Sequence, residues 1–246
     1  MRRVLVTGGA KRIGAAIARR LAHEGWDLIL HHRSSMVEAE ELAKELRIEG
    51  VRVDVVQADL GGPDGVERLL SSIVGPFTAL VNSASTFHHD RLSSVSMSDL
   101  DMHFRINTSA PVLLTRALLE RVPEEVTGSV VNLLDAKLFG LNPDHLAYTL
   151  SKQALAGATK MTALDGAPRI RVNAVAPGLV LDWGDGSEKE FTRHHADTPL
   201  GIGVEVSDVV DAVVFLLQAR SITAQVLAVD AGRHLRPAAR DVMFGG

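Results

Sequence analysis

The chain predicts an α/β fold: a parallel sheet of about seven strands, doubly wound with helices on both faces. Three observations predict it. Short apolar runs alternate with longer helical patterns along the whole chain, the βαβα order of a sheet covered on both sides. A glycine-rich turn, Thr7-Gly-Gly-Ala-Lys-Arg-Ile-Gly14, links the first apolar run to the first helical pattern. The residues are 46% hydrophobic but only 4% aromatic, which suits a core of Val, Leu, Ile and Ala. At 246 residues the length allows one or two domains. No repeat, low-complexity tract or linker divides the chain. The expectation is one Rossmann-type domain over residues 1–236 and a C-terminal tail over 237–246.

Residues 3–7 read as a buried strand and 13–23 as a helix. Residues 26–31 are strand-like. Ser35-Met-Val-Glu38 has the capping-box pattern and opens a helix to about residue 48. Residues 51–57 form a strand, and a helix follows Gly62-Pro63. A short strand at 78–81 precedes a loop, and one long helix is expected over 98–121. A strand at 129–134 leads to a helix at 146–163. Strands at 169–174 and 225–229 close the sheet, with a helix at 206–218 between them. Residues 182–199, with Gly184 and Gly186, are the most polar irregular stretch. They read equally as a lid over the site or a plain surface loop. The tail is expected to be mobile.

A net charge of −4 offers no basic footprint for nucleic acid. The absence of cysteine excludes disulfides and thiolate metal sites. No apolar run reaches the ~18 residues of a membrane span, and Met1-Arg-Arg-Val-Leu-Val-Thr-Gly breaks too early for a signal peptide. The cytoplasm is the default. The ten histidines include the pairs His31-His32, His88-His89 and His194-His195. Adjacent residues on a regular element diverge, so no metal is expected.

The chemistry concentrates in a few segments. Tyr148-Thr-Leu-Ser-Lys152 places Tyr and Lys at i and i+4, on one helix face. An ammonium beside a phenol is expected to lower the tyrosine pKa and to make Tyr148 a proton donor. Asp135 ends Val130-Val-Asn-Leu-Leu-Asp135, thirteen residues upstream of Tyr148. Taken alone, Tyr148 reads as an ordinary helix residue and Asp135 as a surface carboxylate. The glycine turn argues for more. It permits close backbone approach, and the helix N-terminus offers N–H groups and positive dipole to a pyrophosphate.

Together these segments resemble the short-chain dehydrogenase/reductase family, with its Tyr-x-x-x-Lys site and Thr-Gly-x-x-x-Gly-x-Gly turn. The resemblance runs from Arg3 to Arg236. Most members have Ser at the Asp135 position and Gly at the Arg12 position. Asp and Arg there, with Ala84-Ser85-Thr86-Phe87 and the ending Val229-Asp-Ala-Gly-Arg233-His-Leu-Arg236, are similar to the pteridine reductase and dihydromonapterin reductase branch. That branch reduces C=N bonds of pterins and folates. Ser83 replaces the usual Asn, and Ala231 the usual Gly. A serine hydroxyl donates to a carbonyl oxygen that gains charge during hydride attack. An ionised aspartate cannot, but it suits a substrate with N–H donors or a ring nitrogen to be protonated.

The resemblance implies a dinucleotide site at Thr7, Gly8, Lys11, Arg12, Ile13 and Gly14. It continues at Asp59 and Leu60 beside the adenine, at Asn82, Ser83 and Ala84, at Tyr148 and Lys152, and at Pro177 and Gly178 flanking the nicotinamide. An acid about 20 residues after the turn would bind the ribose of NAD. Here the second strand ends His31-His32-Arg33-Ser34 instead. Arg33 can pair with a 2′-phosphate and Ser34 can donate to it, with His32 beside them, so NADPH is the expected cofactor. Asn107 is implied to support Lys152 through water, alongside Asp135 and Tyr148 in the catalytic group. The implied substrate is a pterin or folate, held by Arg12, Ser85, Phe87, Asp135, Tyr148 and Trp183. Phe87 would stack on its flat ring. The alternatives are Phe87 folded onto the core, Asn107 as a structural amide and Arg12 as a solvated first-turn residue. Two other functions stay open: a carbonyl reductase or sugar dehydrogenase of the same fold, or a non-catalytic NADPH-binding protein. The latter would have no need for Tyr148 and Lys152. A homotetramer is implied by the family alone.

Overall fold

The computed structural model describes residues 2–182 and 188–244. Seven strands form one parallel sheet: β1 (Arg3–Thr7), β2 (Asp27–His32), β3 (Val53–Gln57), β4 (Ala79–Asn82), β5 (Gly128–Leu133), β6 (Ile170–Pro177) and β7 (Val226–Val229). Their order is β3-β2-β1-β4-β5-β6-β7. The helices are α1 (Arg12–His23), α2 (Met36–Ile48), α3 (Gly65–Ser72), α4 (Met97–Phe104), α5 (Ala110–Arg121), α6 (Leu146–Gly166), α7 (Glu188–Ala196) and α8 (Val206–Gln218). None of the described helices is long and apolar enough to cross a membrane.

Alternation along the strands divides the core into two layers. Val4, Val6, Leu28 and Leu30 face α1, α2 and α8, against Ile17, Leu42 and Val213. Leu5, Ile29, Leu80 and Val130 face the opposite layer, against Leu69, Leu114 and Ala163 of α3, α5 and α6. Central strands buried on both sides read as continuous apolar runs, which is why their positions were visible in the sequence. Strand order reverses between β1 and β4, and that reversal opens a crevice at the carboxyl ends of the strands.

Four local expectations need correction. The long helix over 98–121 is interrupted by a π turn at Arg105–Ser109. Pro111 has no N–H to give the Asn107 carbonyl, so the helical spacing slips there. The capping box at Ser35 does not form. Glu38 pairs instead with Lys11, 2.5 Å away across the mouth of the glycine turn. Part of the irregular stretch 182–199 is the helix α7. Its acids in the first turn and bases in the last turn suit the helix dipole, so its polarity did not mark a loop. Gly184 and Gly186 lie outside the described residues. Finally, the tail through Phe244 is docked rather than loose: the Arg240 guanidinium forks onto Asp144 at 2.8 and 3.0 Å.

Candidate active site

A cleft of about 660 Å³ opens above the carboxyl ends of the strands. Its floor starts at the glycine turn. Gly8 has φ +64°, and a Cβ there would lie 3.0 Å from the Ala84 Cα. A Cβ on Gly14 would fall 2.2 Å from the Gly8 carbonyl oxygen. The Thr7 hydroxyl oxygen accepts from the N–H groups of Ser83 (3.1 Å) and Ala84 (3.0 Å), clamping the turn to the β4 loop. Among the described residues no side chain caps the first turn of α1. Its N–H groups are left for an anion, so this cradle fits a dinucleotide pyrophosphate.

The two histidines ending β2 divide their roles. His31 lines the cleft and bridges two loops. Its Nδ1 accepts from the Gly8 N–H (3.2 Å) and its Nε2 donates to the Ala58 carbonyl (3.0 Å). Burial lowers its pKa to about 4, so it stays a neutral imidazole. His32, named from the family pattern as a cofactor contact, is turned the other way by strand alternation and is buried off the cleft. Arg33 and Ser34 do line the cleft, and the Arg33 guanidinium is unpaired among the described residues. Asp59, Leu60, Pro177 and Gly178 also line it, with Lys11, Arg12, Ile13, Ser83 and Ala84. Asn82 sits behind the surface, donating to the Asn132 side-chain oxygen at 2.8 Å.

At the far end, β5 delivers Asp135 and α6 delivers Tyr148 and Lys152. The Tyr148 hydroxyl donates to Asp135 Oδ2 at 2.8 Å, and the Lys137 N–H donates to Asp135 Oδ1 at 2.8 Å. Lys152 Nζ donates to the Leu133 carbonyl at 2.6 Å. Burial raises the Asp135 pKa against the pull of its donors. Burial lowers that of Lys152 to about 8, while Asp135 acts to raise it. The expected lowering of the Tyr148 pKa does not occur. Burial, then the Asp135 carboxylate, pushes it well above its usual value. Tyr148 therefore stands as a phenol with its proton in place.

Phe87 lines the cleft with 45% of its surface exposed. One ring face stacks on His145 (4.0 Å, 21°), and it meets Tyr148 edge-on (4.7 Å, 90°). Its loop is pinned from several sides. His145 Nδ1 donates to the His88 carbonyl at 3.0 Å. His103 Nε2 accepts from the His88 N–H at 3.3 Å. The Asp90 carboxylate caps α6 at the Ala147 N–H (3.2 and 3.1 Å). Asn107 makes no direct bond to Lys152. Its oxygen accepts from the Thr86 N–H (2.9 Å) and the Ser85 hydroxyl (3.1 Å). Its amide donates to the Thr86 carbonyl (3.1 Å) and the Ser151 hydroxyl (3.0 Å). It is a brace between the Phe87 loop and α6, placed by the π turn. Trp183 lies outside the described residues. Among those described, no group of three potential ligands could hold a metal ion.

Residues 8–234 match the family model described as enoyl-(acyl carrier protein) reductase. The chain belongs to the short-chain dehydrogenase/reductase family. It is 39% identical to FolM alternative dihydrofolate reductase 1 from Brucella suis, solved in complex with NADP, with a TM-score of 0.85 over 95% of each chain. It is 29% identical to the promiscuous reductase LugOII, which catalyses keto-reduction at C1 during lugdunomycin biosynthesis. That likeness has a TM-score of 0.88 and covers 95% of this chain and 98% of LugOII. The oxidoreductase YmfI of Bacillus subtilis is 32% identical over 240 residues, 94% of this chain and 98% of its own.

Within this short-chain dehydrogenase/reductase, two positions where the family usually has glycine keep a glycine's backbone. Arg12 has φ 53° and Ala231 φ 51°. Side chains pay roughly 1–2 kcal/mol in that left-handed region. Arg12 also reaches toward the Asp182 carbonyl at 3.5 Å, beside residues the cleft opens onto. His31, Lys137 and His145 were missed in the sequence. For His31 the parity of β2 was the usable signal; the other two act through contacts made only in the fold. Arg12→Gly is expected to be more stable than Arg12→Ala by about 1 kcal/mol, the reverse of the usual helical ranking of the two residues. Urea denaturation of both variants checks this. A more stable alanine variant would show that the turn relaxes without strain.

Proposed function

We propose that this protein is an NADPH-dependent reductase of dihydropterins, of the dihydromonapterin, dihydrobiopterin or dihydrofolate type, acting on a ring C=N bond. The Asp135 carboxylate carries this reading. It stands where most of the family has a hydroxyl, and it accepts a hydrogen bond from the Tyr148 hydroxyl at 2.8 Å. A carboxylate opposes a developing alkoxide but accepts hydrogen bonds from ring N–H groups. The 39% identity to a FolM alternative dihydrofolate reductase supports it.

When bound, NADPH would supply the hydride that the C=N carbon gains, being oxidised to NADP⁺. The N–H groups opening α1 and the Lys11 and Arg33 cations would hold its phosphates. Phe87 offers its exposed ring face to the pterin. Tyr148, held as a phenol, delivers the proton to the ring nitrogen. Asp135 positions the Tyr148 phenol and accepts from the pterin. Lys152 supplies a positive charge as the phenol gives up its proton. Asn107 keeps the Phe87 loop and α6 in register.

A ketoreductase is the second reading. One observation favours it: burial raises the Asp135 pKa, and a protonated Asp135 could donate to a ketone as serine does. LugOII, a ketoreductase, is a relative in structure.

Asp135→Ser separates the two. On the pterin reading it should cut dihydropterin kcat/KM by ~10²-fold or more, with NADPH binding retained and activity on an activated diketone held or raised. Full dihydropterin activity in the serine variant would make Asp135 a bystander. The wild-type kcat/KM is expected to fall as pH rises through about 8. Below that pH Lys152 carries its proton, and above it the charge is lost. A profile flat through that region would remove the Lys152 charge from catalysis. NADPH should be preferred over NADH, because charge-assisted bonds from Arg33 to the 2′-phosphate contribute about 1.5–3 kcal/mol. Arg33→Ala should lose most of that preference while NADH activity barely moves. Equal use of both cofactors by the wild type would sink the assignment.

A further inference from the structure

Asp144 has no exposed side-chain surface. A carboxylate so placed must be compensated, or it would not stay charged. Arg91 Nε lies 3.7 Å and His89 Nε2 3.6 Å from one of its oxygens, but its close hydrogen bonds come from the far end of the chain. Arg240 forks onto both oxygens, and the Asp241 N–H adds a third bond at 2.9 Å. The Arg240 guanidinium holds the Asp144 pKa well below the usual carboxylate range. Asp144 directly precedes His145, whose φ of 55° puts it in the left-handed region at the start of α6. The tail pair is therefore fastened one residue from the ring on which Phe87 stacks.

The tail also touches that stack. Phe244 lies 4.2 Å from the His89 ring and 5.8 Å from the His145 ring, centroid to centroid. On the other side of the site, Lys137 donates its backbone N–H to Asp135 and its ammonium to the Asp144 carbonyl. The same ammonium is 3.6 Å from Asp241. Asp241 thus reaches the Lys137 side, while Arg240 and Phe244 bear on the aromatic wall.

We propose that the C-terminal segment 237–244 is a working part of the substrate site: Arg240 and Phe244 are positioning residues that hold His145, and through it Phe87, in place for a flat substrate ring. This rests on the reading that Phe87 faces the substrate. The segment never meets the reacting atoms. It sets affinity for a ring that stacks, and it leaves small acyclic carbonyls and the cofactor unaffected.

The test uses the full-length protein and three variants, Arg240→Ala, Phe244→Ala and Phe244→Tyr. Kinetics are measured on dihydrobiopterin and on butanedione, alongside NADPH affinity and amide hydrogen exchange over residues 86–90. Both alanine variants should raise the dihydrobiopterin KM about tenfold with little change in kcat, the signature of binding lost equally from ground state and transition state. Butanedione kinetics and NADPH affinity should hold, and exchange over 86–90 should quicken. Phe244→Tyr, which keeps the ring, should restore wild-type behaviour. Unchanged exchange over 86–90 in both alanine variants overturns the proposal whatever the substrate proves to be. Equal losses on both substrates overturn it too, because that marks a general structural defect. Failure of the pterin reading looks different: the wild type itself would not turn over dihydrobiopterin, while the exchange result would still decide the role of the tail.

Discussion

Asp135, stripped of much of its water, sits at the centre of this site, and the surrounding groups are arranged around that loss. Burial makes ionisation costly for it, and the bonds from Tyr148 and the Lys137 N–H offset part of the cost. The same loss of water weakens the hold of Lys152 on its proton and strengthens that of Tyr148. Each group is perturbed in the direction that favours its neutral form. The carboxylate then adds its own effect, keeping the proton on Tyr148 and supporting the charge on Lys152. A hydroxyl at position 135 would leave the phenol and ammonium in a different balance. The acid–base character of the site thus follows from one side chain and its desolvation.

Placing that trio takes both halves of the fold. Parallel β5 carries Asp135 out at its carboxyl end, and α6 brings Tyr148 and Lys152 back across it. The Leu133 carbonyl receives Lys152 just where β5 ends. The start of α6 collects acids: Asp90 caps the Ala147 N–H, and Asp144 precedes the helix. Negative charge is favoured at a helix N-terminus. Asp144 is nonetheless too deeply buried to rely on the dipole, and it draws in Arg240 from 96 residues away. Stability at this corner and the shape of the Phe87 side of the cleft rest on one set of contacts.

At the other end of the cleft, the turn after β1 keeps a glycine-like backbone even where the residue is arginine. Arg12 places a cation beside the dinucleotide cradle at the cost of a left-handed conformation. Such strain persists only where the surroundings enforce it. Here the Thr7 clamp on the β4 loop and the His31 bridge to Gly8 and Ala58 hold the turn from both sides.

Local pattern was enough to read the layered sheet, the glycine turn and the Tyr148–Lys152 pair. Strand and helix periods, turn chemistry and i, i+4 spacing are properties of neighbours along the chain. Even the π turn had a trace, in a proline that cannot donate. What the tertiary structure decided were choices between competing partners. Ser35 and Glu38 match a capping box, but Lys11 from another loop takes Glu38. His31 and His32 look alike in sequence, and the parity of β2 sends one to the cleft and one to the core. The Asn107 side chain is shared among four polar groups of the Phe87 loop and α6, partners that only the fold brings to it. Arg240 reads as a charge in a loose tail until a buried carboxylate gives it a partner. Long-range pairing of charges depends on which groups the fold has already stripped of water, and no local pattern encodes that.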